Sequence, residues 1–74
     1  MRDLYDVIEI SMEKPYKVTV LDTLKSAKNA DAIMKMAVVR KGVVAHFFKR
    51  VPNGEYRDGD SYRFNEMSGL PRSP

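Results

Sequence analysis

The chain has 74 residues, no cysteine and one histidine, with 13 bases against 10 acids for a net charge of +3. A chain of that length makes one small domain with a thin core, which leaves no room for a cleft between two lobes. The absence of cysteine excludes disulfides and thiolate metal sites, and the lone His46 excludes a histidine metal cluster.

Residues 4–11, LYDVIEIS, are rich in β-formers and free of Gly and Pro, so they are expected to form a first strand. A turn at Met12 to Pro15 leads into residues 16–21. There Tyr16, Val18 and Val20 alternate with Lys17, Thr19 and Leu21, the pattern of a half-buried strand antiparallel to the first. A helix follows, capped by Asp22 or Thr23 and stopped by Gly42. Steps of 100° place Ala27, Ala30, Ile33, Met34, Ala37 and Val38 on one arc. The opposite arc carries Lys25, Lys28, Asn29, Asp31 and Lys35, and also Ala32, Met36 and Val39.

Residues 43–51 read as a third strand, with Val43, Ala45, Phe47, Lys49 and Val51 on one face and Val44, His46, Phe48 and Arg50 on the other. Aromatics on both faces suggest that this strand is central. Turns are expected at Pro52-Asn53-Gly54 and at Asp58-Gly59, followed by a short strand near residues 61–64. The expected fold is α+β: a small antiparallel sheet in ββαβ order, plus one or two short strands, with one amphipathic helix on one face. The domain is placed at residues 1–66, with the Pro- and Ser-rich residues 67–74 as a loose tail. The other sheet face is expected to stay bare unless a partner covers it.

Charge is uneven along this layout. Residues 1–22 carry three bases and five acids, net −2, and residues 55–74 carry three bases and four acids, net −1. Residues 23–54 carry seven bases against Asp31 alone, net +6. A basic middle between acidic ends suits an anionic partner. No stretch approaches the roughly 20 apolar residues of a membrane span. The acidic, alternating MRDLYDVIEI is unlike a signal or transit peptide, so a cytoplasmic setting with no membrane partner is expected.

Catalytic patterns are weak. Asp58 and Asp60 flank Gly59 at turn spacing and lack the further ligands of a calcium loop. Ser11-Met12-Glu13-Lys14 has the Ser-x-x-Lys spacing of some acyl enzymes but straddles a strand end and a proline turn instead of a helix. His46 has no nucleophile near it in sequence. The expectation is a non-enzymatic binding protein without cofactor or metal.

Three binding modes fit the pattern. His46, Phe48 and Arg50 on an open sheet would make a stacking platform for RNA or DNA, with Lys25, Lys28 and Lys35 tracking phosphates. Met36, with Val39 and Ala32, would centre a protein interface rimmed by bases. A bare sheet face would pair with a second copy as a homodimer. The expected contact set is Lys25, Lys28, Lys35, Met36, Arg40, Lys41, His46, Phe48, Lys49 and Arg50.

The run LKSAKNADAIMKMAVVRKG, followed by VVAHFF and VPNGEYRDGDSY, resembles the strand–helix–strand–strand layout of several small anti-CRISPR proteins of bacterial viruses. The resemblance covers residues 16–64 and lies in architecture and charge. It implies a phage-encoded, stoichiometric inhibitor that occupies a nucleic-acid-binding surface on a host protein or nucleoprotein complex. By that analogy Lys28, Lys35, Arg40, Lys49 and Arg50 make the contacts.

Overall fold

The computed structural model describes residues 3–62. Its elements are β1 (Tyr5–Ser11), β2 (Val18–Lys25), α1 (Ala27–Lys41) and β3 (His46–Pro52), an α+β fold in ββαβ order. The strands form one antiparallel sheet in the order β2-β1-β3. Because β2 and β3 both run antiparallel to β1, they are parallel to each other, and α1 is the crossover between them.

The central strand is therefore β1, not the third strand as its paired aromatics suggested. Residues 6–10 of β1 are all buried, as expected of a strand covered on both faces. Val7 and Glu9 share the α1 face with Phe48 and Arg50, whereas Asp6, Ile8 and Ile10 share the opposite face with Val51, Lys49 and Phe47. On the α1 side, Val7, Ala30 and Phe48 are buried, with Ile33, Met34, Ala37 and Val38 half-buried over them. The helix phase read from the sequence is the observed one. Three alanines on the inner arc of the helix let it lie close to the sheet.

The second core lies on the far face. Ile8, Ile10, Val18, Val51 and Tyr62 form a buried cluster, with Tyr16, Val20, Phe47 and Tyr56 packed around it. Each fully buried aliphatic there contributes about 1.5–3 kcal/mol. This face is not bare, because the chain beyond β3 covers it. The turn at Asn53–Gly54 does not send a strand back along β3. Gly54, at φ 89°, takes a backbone conformation that a side chain would resist, and the chain then passes beneath the sheet to the outer edge of β2. There Gly59 N donates to Val18 O (2.8 Å), Val18 N to Asp60 O (2.9 Å), and Tyr62 N to Tyr16 O (3.0 Å). Asp58 Oδ1 accepts from Val20 N on the same edge. The expected strand at residues 61–64 is represented by a single bridge, Lys17 to Ser61; residues 63–64 and the tail expected at 67–74 lie outside the described residues.

Asp6 ties this lid to the centre of the sheet. Its carboxylate, 2% exposed, accepts from Asn53 Nδ2 and from Gly54 N (3.2 Å). A buried carboxylate is thereby satisfied by two amide donors at the point where the lid begins.

The helix starts later than expected, with Ser26 as its N-cap; the Ser26 hydroxyl accepts from Asn29 N at 3.3 Å. Strand β2 extends to Lys25 because it is bulged twice: its register against β1 shifts between Val7 and Ile8 and again between Tyr5 and Val7. Leu24, at φ 58°, sits in the second irregularity and is 61% exposed. At the other end Gly42, at φ 79°, closes the helix by donating to Val38 O at 2.7 Å. Residues 43–45, expected in the third strand, form a bend, so β3 begins at His46. Among the described residues no helix is long and apolar enough to cross a membrane.

Candidate binding surface

Helix α1 separates the ten expected contact residues into distinct environments. Under it lies the sheet face that carries His46, Phe48 and Arg50. Phe48 is 6% exposed, and the His46 ring stands 5.9 Å from it, centroid to centroid. Arg50 Nη1 donates to Ala27 O (3.1 Å) and reaches Asp31 Oδ2 at 3.2 Å, while its guanidinium lies 5.2 Å from the Tyr5 ring centroid. Arg50 is thus a strut between the sheet and the first turn of α1, held by an ion pair, a carbonyl and a cation–π contact. The sheet offers no open aromatic platform, because the helix occupies it.

A second strut fixes the other end of the helix. Lys41 Nζ donates to Glu9 Oε1 at 2.9 Å and to Oε2 at 3.2 Å, and His46 Nδ1 lies against Glu9 Oε2. The Glu9 side chain is only 8% exposed, and its charge is matched by the Lys41 cation from the last turn of α1, with the His46 ring packed beside it. Lys41, His46, Phe48 and Arg50 are therefore occupied in holding the helix to the sheet. Lys25 is not on the helix; it ends β2 and pairs with Asp22 at 3.7 Å. Lys49 points to the far face, opposite Ile8.

Lys28, Lys35, Met36 and Arg40 remain, and they come together on the exposed side of α1. None of these three bases is in an ion pair among the described residues. Between them, Ala32, Met36 and Val39 form an apolar row, with Met36 61% and Val39 87% exposed. Lys35, Met36, Val39 and Arg40 line a shallow apolar concavity. Just past the helix, Val43 and Val44 are also exposed, Val44 at 94%. Scattered exposed aliphatics are ordinary, whereas a row of them on one helical face between unpaired bases is a patch.

Val39 belongs to this patch and was visible in the sequence as an apolar residue on the polar arc. Val43 and Val44 were hidden, because a run of β-branched residues next to Ala-His-Phe-Phe reads as strand. The spacing 32, 36, 39, 43 was the available signal, since it continues a helical row and not a strand alternation.

The acidic turns have backbone roles. Asp60 Oδ2 accepts from Arg57 N at 2.7 Å, Asp58 caps Val20 N, and Ser11 Oγ accepts from Glu13 N at 3.3 Å at the end of β1. Among the described residues no three His, Cys, Asp or Glu side chains gather as metal ligands. Compared with known proteins, the chain matches no family model, no curated protein and no solved structure.

Proposed function

We propose that this protein is a non-enzymatic binding module that engages an anionic face of a host protein or nucleoprotein complex through the outer side of α1. One observation carries the reading: Met36 and Val39 lie exposed in a row between Lys28, Lys35 and Arg40, bases in no ion pair among the described residues. Bases of one sign steer a partner and set its orientation, while desolvated apolar residues at the centre supply most of the affinity. Blocking by occupancy, as the resemblance to small anti-CRISPR proteins implies, needs only such a surface on a rigid support. The two struts at Arg50 and Lys41 provide that rigidity. Direct nucleic-acid recognition on the sheet loses its support, since His46 and Phe48 lie beneath the helix.

The test is a tagged pull-down from bacterial lysate with nuclease treatment, comparing the wild type with a Lys28→Glu/Lys35→Glu variant that retains its melting temperature. A defined complex captured despite nuclease and lost with the variant supports the reading. Capture that is unchanged by the variant refutes it. Capture abolished by nuclease alone makes nucleic acid the partner.

A further inference from the structure

The outer face of α1 also constrains the shape and charge of what it binds, an argument that rests on the binding-module reading above. We infer that its occupant is an acidic amphipathic helix of a partner protein, laid along the row Ala32-Met36-Val39.

Charge comes first. Asp31, the one acid among residues 23–54, lies on the Lys28 and Lys35 flank of the helix, where its 41%-exposed carboxylate is already paired with Arg50, so the described residues of the outer face present Lys28, Lys35 and Arg40 and no unpaired acid. A second copy docked about a two-fold axis would set these bases against their own images, which disfavours self-pairing. The flanks of the occupant must instead be acidic.

The centre of the face excludes other anions. Met36 and Val39 are aliphatic and lie between the bases, so phosphates bridging Lys28 to Arg40 would pass over apolar surface that offers them no donor. Among the described residues no aromatic stands on this face for a base to stack on, the usual source of affinity for single strands. An anionic bilayer is served by a broad apolar face with large side chains, whereas here the inner side of α1 is committed to the sheet.

A helical occupant matches the spacing. Residues 32, 36 and 39 follow the i, i+4, i+7 row that one helix offers to the groove of another, and the concavity at Lys35, Met36, Val39 and Arg40 accepts a protruding aliphatic. Ala32 at one end of the row permits close approach of the two backbones. Carboxylates on either side of the partner's apolar stripe then meet Lys28 and Lys35 on one flank and Arg40 on the other.

The experiment is a backbone-amide NMR titration of the full chain with three probes: a helical peptide of about 18 residues bearing a leucine stripe flanked by glutamates, a thymidine 20-mer, and phosphatidylserine vesicles. A scrambled peptide of the same composition is the control. The stripe peptide is expected to shift Lys28, Lys35, Met36, Val39 and Arg40, with an affinity on the order of 10–100 μM for so small a contact. Val39→Glu should weaken it about tenfold or more, and Lys17→Glu, a charge change on an exposed residue away from α1, should leave it unaltered. Equal binding by the scrambled peptide overturns the inference. Shifts on the same residues from the oligonucleotide or vesicles, but not from the peptide, overturn it while leaving α1 as the binding face. No shift on α1 from any probe overturns this inference, and the pull-down with the Lys28→Glu/Lys35→Glu variant then decides the proposed function separately.

Discussion

Replacing Asp6 by alanine removes the acceptor that joins the centre of β1 to the start of the lid. The carboxylate is 2% exposed and takes hydrogen bonds from Asn53 Nδ2 and Gly54 N. Hydrogen bonds to a charged group contribute about 1.5–3 kcal/mol each. Asn53 and Gly54 are themselves exposed, so both donors recover water when the carboxylate is gone, and the expected loss is about 2–3 kcal/mol in total. A domain of this size holds about 4–11 kcal/mol, so the variant should melt about 10–20 °C lower. Asparagine at the same position should do little better, because its amide sets a donor against one of the two donors. Urea unfolding followed by circular dichroism gives the stability, and a double-mutant cycle with Asn53→Ala isolates the contact. A coupling energy of about 1 kcal/mol or more is expected. A loss below about 0.5 kcal/mol for Asp6→Ala, or strict additivity in the cycle, would refute the lid-anchor account.

Other substitutions address the helix, the bulge and the far core. Ile33→Asp puts an unpaired charge under α1 and should unfold the domain, whereas Val39→Asp on the exposed side should cost under about 1 kcal/mol; the reverse order in thermal melts would mean the helix is rotated. Glu9→Gln removes the charge shared by Lys41 and His46 and should cost about 1–2 kcal/mol in urea unfolding, and an unchanged midpoint would mean that the strut is inert. Leu24→Gly relieves a left-handed leucine conformation worth about 1–2 kcal/mol against a glycine entropy cost of about 0.5–1 kcal/mol, so stability should hold or rise slightly. Burial, then Tyr56 and Glu55, raise the Tyr62 phenol to about 12. A raised folded value means that the native state keeps the proton longer than the unfolded chain, so this stability is intact below about pH 10 and is lost as pH rises towards 12. Alkaline denaturation curves should therefore flatten in Tyr62→Phe between those values; a curve identical to wild type would contradict the burial of the phenol.

The helix and the order of elements were legible because they rest on local signals: the six-residue apolar arc, the glycine at 42, and short connections. The centre of the sheet was not. Asp6 and Glu9 break the apolar run of β1 and make it look half-exposed, and only distant residues, Asn53, Gly54, Lys41 and His46, show how those carboxylates are satisfied. The aromatics on both faces of β3 suggested a central strand. They are covered instead by two different segments, α1 above and the lid below. The delayed start of the helix was hidden because a twice-bulged strand has no fixed alternation to read. At the surface, the charge pattern grouped Lys28, Lys35 and Arg40 with the other bases of the middle segment, and the structure places these three on the exposed side of α1. The pattern did not separate them from Lys41 and Arg50, since a base holding a helix down and a base facing water look alike in a sequence.

The position of β1 between β2 and β3 also bears on how the domain is made. During synthesis β2 follows β1 closely, but Pro52, which pairs with Tyr5, comes 47 residues after it. At about 5–20 residues per second the nascent hairpin waits about 1–5 seconds. During that time the later β3 side of β1 is an open edge, and a two-stranded hairpin has little stability of its own. Neighbouring nascent chains on one message then compete with the chain's own β3 for that edge. The 27 residues between the end of β2 and Pro52, more than the strength of the early hairpin, set how long that edge stays open.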